Sequence, residues 1–271
     1  MSTSSSIGHA RFVGSVPEYY ERYLAPLLFT PYAQDLACRV QIGPTSRILE
    51  LAAGTGQPTR ELVNVMEPGA RLVATDLYGP MLEVARQTVR DPRVEWRQAD
   101  ATALPFDAAT FDEVVCQFGV HHFPDKVAAA SEVRRVLRPG RPYRFSSWSS
   151  VDDNPLARIA QETTAACFPE NAPTYYSVPW GYCDTRQIES DLRAAGFRHV
   201  NIQPLSIIGR APSADHAAIG IVQGTPMAQA VAERSIISVD AFTAIIAAAL
   251  TRELGSGPIA IPMRAWIVRA E

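Results

Sequence analysis

Three acids, Glu50, Asp76 and Asp100, punctuate the first hundred residues, and a pair of histidines, His121 and His122, follows them. Glu50 closes a short apolar run in the stretch ILELAAGTGQPT, residues 48 to 59. The chain then turns through Ala52, Gly54, Gly56 and Gln57 to a proline suited to open a helix. A strand–turn–helix of this kind often holds a nucleotide. A pyrophosphate, however, needs several backbone N–H groups and tolerates no nearby carboxylate. The dinucleotide fingerprint carries a third glycine and the phosphate-binding loop a lysine, and neither is present here. An acid at the strand end favours a ligand with positive charge. S-adenosylmethionine (SAM) is such a ligand, an adenosine bearing a sulfonium and an ammonium in place of phosphates.

The other acids fit the same ligand. Asp76 stands where a carboxylate can grip both ribose hydroxyls, and Leu77 and Met81 beyond it join the cofactor-binding set. Asp100, with Ala101, is placed to accept from an adenine amino group. Gln117, Phe118 and the histidines would flank the methionine end and the reacting methyl. Singly, each acid could be a solvated strand end or a helix cap. Their order on successive strands points to one ligand.

Those strands must alternate with helices. Apolar runs at 48–51, 71–75, 94–97, 112–118 and 143–148 read as strands. Helical patterns at 58–66, 80–89 and 126–137 lie between them. Such alternation means a parallel sheet covered by helices on both faces, with ligands beyond the carboxyl ends of its strands. Further strands are expected at 200–207 and 259–268, and helices at 154–166 and 185–195. Residues 16–40 read as two helices split near Pro31, preceded by about fifteen small, polar residues expected to be flexible.

The chain has 271 residues, 47% apolar and 20% charged, which is the composition of an ordinary soluble globule. A net charge of -3 argues against a nucleic-acid partner. No apolar run is long enough for a membrane span, and no signal core stands at the start. Four scattered cysteines fit a reducing cytoplasm better than a disulfide framework or a zinc site.

The motifs E-x-A-x-G-T-G, T-D, D-A-T-A-L-P-F, F-D-E-V-V and V-L-R-P-G occur in this order over residues 46–150. This succession resembles class I SAM-dependent methyltransferases, and is most similar to the ubiquinone/menaquinone-biosynthesis (UbiE-like) group. The resemblance implies a Rossmann-like α/β fold, a seven-stranded sheet of order 3-2-1-4-5-7-6 with the last strand antiparallel. N-terminal helices (1–45) and insertions at about 150–183 and 209–256 would form a lid over the domain 46–271. Ala52 replaces the family's first glycine, a position expected to need smallness more than positive φ.

Methyl transfer needs the nucleophile aligned with the methyl and water excluded. An oxygen or acidic-carbon acceptor also needs a base, for which His121 and His122 are equal candidates. Tyr20 and Tyr23, expected on one face of the N-terminal helix, would close over the cofactor. Phe29, Trp148, Tyr175, Tyr176 and Trp180 would wall a substrate pocket. No acidic cluster suits a metal. The expected partner is a small apolar or aromatic metabolite methylated on O, C or N, and the expected assembly a monomer or homodimer. A NAD-dependent oxidoreductase and a non-catalytic SAM-binding protein are the alternatives.

Overall fold

The computed structural model describes Phe12 and residues 14 to 271. Most of the expected flexible leader therefore lies outside the described residues. The chain starts with α1 (Val16–Tyr19), a π-helix (Tyr20–Phe29) and α2 (Thr30–Arg39). The break falls at Phe29–Thr30, close to the expected Pro31. A ten-residue run of i→i+5 winding is rare. It contains Pro26, whose ring would press on the carbonyl of Arg22 in an α-helix, and the wider coil relieves that contact. The π-helix packs on α8 (Ala214–Gln223) at Gly220, where an added Cβ would lie 3.0 Å from the Tyr23 carbonyl.

Then β1 (Arg47–Glu50), α3 (Gln57–Val65), β2 (Arg71–Asp76), α4 (Gly79–Thr88) and β3 (Val94–Gln98) alternate as their patterns require. They are followed by β4 (Glu113–Gln117), α5 (Lys126–Val136) and β5 (Tyr143–Trp148). These five strands pair in parallel. Ile48, Leu49, Val114, Val115 and Cys116 are all buried, as in strands covered on both faces. α6 (Pro155–Cys167) and α7 (Thr185–Ala194) lead to the last two strands, β6 (Val200–Ala211) and β7 (Ile259–Ala270). The sheet order is β3-β2-β1-β4-β5-β7-β6, with β7 antiparallel to both neighbours.

β6 runs four residues beyond its expected end at Ile207. It pairs with β7 along its whole length, from Val200 opposite Ala270 to Ala211 opposite Ile259, so mutual pairing overrides the local break at Gly209. Between them stand α8, α9 (Met227–Arg234) and α10 (Val239–Leu254). Ser213 and Ser238 cap α8 and α10 by accepting from His216 N–H and Ala241 N–H. One apolar core joins these helices and α6 to the N-terminal helices through Leu24, Leu27, Tyr32, Trp148 and Phe242. Another fills the opposite face around Phe111, Val133, Phe145 and Ile188. β1 lies between β2 and β4, so the crevice opens at the carboxyl ends of β1 and β4.

Candidate active site

Glu50 ends β1 and is fully buried. One carboxylate oxygen accepts from Thr59 Oγ1 at 2.6 Å, and Oε1 has no partner among the described residues. Burial pushes this carboxyl up to about 8, against the pull of the Thr59 hydroxyl. The acid is thus held from the first turns of α3 by one oxygen, with the other left over. The turn runs through Ala52 (φ 51°), Gly54 (φ 57°) and Gly56 (φ 86°). Ala52 is left-handed, so the expectation that this position needs smallness more than positive φ is corrected: it needs both, at a cost of roughly 1–2 kcal/mol for a residue with a Cβ.

Asp76 spans the turn. Its Oδ2 accepts from Gly54 N–H and its Oδ1 from Tyr78 N–H, both at 2.8 Å. Burial raises its pKa and these donors oppose the rise. Each carboxylate oxygen has a second lone pair, so bracing the loop leaves capacity for a ligand hydroxyl. Met81 is buried, its terminal methyl 3.6 Å from where a Gly54 Cβ would stand, while Leu77 is exposed. Asp100 is exposed and closes a local turn by accepting from Thr102 N–H and Oγ1. Ala101 beside it is half-buried.

At the end of β4, Gln117 donates through Nε2 to the Phe29 carbonyl at 2.8 Å, and its Oε1 has no partner among the described residues. Glu50 pairs in register with Val115, so both unpaired acceptors lie at one end of adjacent strands. Phe118 follows with φ 51° and stacks on Trp148, centroids 3.9 Å apart. Phe29 lies against both rings and stacks on Tyr20. Trp180 stacks more loosely on Trp148, and its Nε1 has no partner among the described residues. Tyr176 is buried with its hydroxyl donating to the Ile221 carbonyl. Tyr175 is half-buried and packs near Phe12 and Met81.

Tyr20 and Tyr23 do not share a face. Tyr20 meets Phe12 and Phe29, whereas Tyr23 stacks on Tyr19 and turns to His216 on α8. The helical spacing that would align them belongs to an α-helix, and this segment is π-wound. His121 is buried with Nδ1 unpartnered among the described residues, and burial holds its pKa well below the ordinary value. His122 is exposed, its ring edge-on to Phe12.

Sequence reading missed two groups here. Phe12, with Val16, covers Met81. Glu21 pairs with Arg60 and accepts from Gln57 Nε2, and Thr30 donates to Gln57 Oε1, tying the π-helix to the start of α3. Glu21 has no motif, and nothing short of the packing reveals it. Phe12 could have been found only as an aromatic in a polar leader. Among the described residues no group of three or more His, Cys, Asp or Glu is placed to hold a metal, and no helix is long and apolar enough to cross a membrane. Two surface recesses, about 210 and 120 Å³, lie at the other end of the sheet. Arg193 and Arg269 there are already paired with Glu189 and Glu271.

The groups present fit SAM: two buried acceptor oxygens without partners among the described residues suit a cation, and a carboxylate already bracing a tight turn suits a ribose. The sheet order and this site define a class I SAM-dependent methyltransferase, and the chain belongs to that family. A methyltransferase-domain profile matches residues 48–140. Within the family the chain is similar to demethylmenaquinone methyltransferases. It is 35% identical to that of Clavibacter sepedonicus over 172 residues, 59% of this chain and 69% of that protein. It is 36% identical to that of Mycobacterium sp. (strain KMS) over 152 residues, 56% of this chain; the match spans 63% of that relative's length. The YcgJ protein from Bacillus subtilis shares the fold, with a TM-score of 0.58 at 19% identity over 89% of this chain and 97% of that one.

Proposed function

We propose that this protein transfers a methyl group from SAM to an O, C or N atom of a small apolar or aromatic metabolite. The reading rests on one observation above others. Two buried acceptors without partners among the described residues, Glu50 Oε1 and Gln117 Oε1, stand beside an array of aromatic rings from Tyr20 through Phe29 and Phe118 to Trp148. The acceptors suit a cation, and the rings suit an apolar partner.

The cofactor supplies an electrophilic methyl on a cationic sulfur. Glu50, Gln117, Asp76 and the Gly54 turn would hold it, with Met81 and Leu77 at its border. Phe12, Val16 and Tyr20 cover this end of the site, which serves to exclude water. His121 is our candidate base: held neutral by burial, it can take a proton from the acceptor at Nδ1. His122, facing solvent, is the weaker choice. The N-terminal helices and the insertions would act as the lid and substrate cap. In this reading the enzyme is metal-independent and cytoplasmic, monomeric or homodimeric.

The relatives' names make a demethylmenaquinol-type naphthoquinol the first acceptor to try. The test is incubation with SAM and that quinol, followed by mass spectrometry for S-adenosylhomocysteine and a methylated ring. Tight SAM binding without S-adenosylhomocysteine release across aromatic phenols, quinols and amines would mean a non-catalytic SAM-binding protein instead.

A further inference from the structure

In the loop between α6 and α7, Tyr176 and Tyr182 have their hydroxyls hydrogen-bonded, whereas the buried indole N–H of Trp180 has no partner among the described residues. Tyr176 reaches the Ile221 carbonyl at 3.0 Å, and Tyr182 donates to Asp191 at 2.8 Å. The same loop offers its own carbonyl at Cys183 to the indole of Trp266, at 2.8 Å. Trp180 is 8% exposed, yet its Nε1–H has no acceptor among the described residues. Buried indole N–H groups normally find a partner, and an exception calls for a reason in function.

The stacking around Trp148 supplies that reason. Phe118 lies 3.9 Å from its ring at 12°, a closed stack. Trp180 meets the same ring at 5.9 Å and 24°. The second joint is wider and splayed, so a planar ring that parted it would give up less stacking than one that parted the Phe118 joint. Phe29 and Tyr20 continue the array, and both are only partly buried.

We propose that Trp180 determines acceptor specificity: its Nε1–H donates to an oxygen borne by a planar ring that enters beside Trp148. This rests on the reading of the site as a methyltransferase with an aromatic acceptor. It adds the atom that distinguishes an oxygenated ring from a bare hydrocarbon of the same shape. A site built to satisfy a donor rejects the analogue that lacks the acceptor, because the donor stays unpaired.

The test uses the full chain saturated with S-adenosylhomocysteine, with 1-naphthol and naphthalene as probes. The wild type should bind 1-naphthol about three- to tenfold more tightly than naphthalene, the range for one net hydrogen bond. Of the four indole N–H resonances in a ¹⁵N spectrum, the one missing from Trp180→Phe should move downfield with 1-naphthol and stay in place with naphthalene. Trp180→Phe should keep its S-adenosylhomocysteine affinity and bind both probes alike. A preference that survives in Trp180→Phe, or a Trp180 resonance unmoved by 1-naphthol, overturns the assignment while leaving the methyltransferase reading intact. Failure of both probes to bind the wild type would overturn the aromatic acceptor and this assignment together.

Discussion

A Cβ built on Gly119 would fall 2.4 Å from the Cβ of Ala52, so the methyl of Ala52 occupies the space a side chain at 119 would need. The departure from glycine in the cofactor turn is therefore accommodated from the neighbouring strand, where the chain leaves β4.

Gly119→Ala should destabilise the protein by about 1–3 kcal/mol in urea denaturation, as overpacked sites do. Ala52→Gly should be close to neutral, since relief of the left-handed backbone is offset by a more flexible unfolded chain. Together they should recover part of the loss but not all, because Cys116 Sγ also lies 2.7 Å from the added Cβ. Strictly additive effects would show that the two residues do not compete for one space.

Glu50 should make stability and cofactor binding respond to pH. Its folded pKa is raised from 4.5 to about 8, so the folded protein keeps a proton that the unfolded chain has lost. The stabilising contribution is whole below about 4.5 and fades as pH climbs through about 8. Glu50→Gln should flatten that part of the Tm profile. A cationic ligand favours the ionised acid, so SAM binding at pH 7 should release close to one proton. Calorimetry in buffers of different ionisation enthalpy reads this directly, and Glu50→Gln should bind with none released.

His121→Gln should lower the methylation rate by about 10²-fold or more, the low end for a lost general base, with SAM affinity unchanged. His122→Gln should stay within about threefold of the wild type. Because burial holds the His121 pKa well below the ordinary value, no histidine titration should shape the rate between pH 6 and 9. Equal losses in both variants would remove His121 from the role we give it.

Glu21→Gln should loosen the N-terminal helices with little effect on folding. The Glu21–Arg60 pair is partly exposed, at 21% and 36% of side-chain surface, and such pairs contribute about 1 kcal/mol or less. Its place between the π-helix and α3 should show instead in the SAM dissociation rate, raised several-fold in stopped-flow measurements. An unchanged rate would mean that this contact does not restrain the cofactor.

The sheet was legible because each strand carries its own apolar run and each turn its own punctuation. Asp184 before Thr185 and Gly196 after α7 mark that helix from the sequence alone. The three acids could be located for the same reason: Glu50 and Asp76 end strands, and Asp100 stands in the turn that follows β3. What those acids do was less legible. Whether Glu50 points into the site or under the turn depends on Thr59, nine residues on, and Asp76 gains Gly54 N–H only when β1 and β2 lie side by side. The left-handed backbone of Ala52 was hidden because its compensation sits at Gly119, far along the chain. Tyr23 was misplaced because periodicity arguments assume 3.6 residues per turn, and one proline changes the winding.

That proline has a wider consequence. Pro26 is exposed, yet it bars the N-terminal coil from tightening into an ordinary helix. In the wider winding Tyr20 stacks on Phe29. Exchange of Pro26 for alanine removes the bar to a tighter winding and should turn that ring away from Phe29, so the placement of an inner ring answers to a residue on the outer surface.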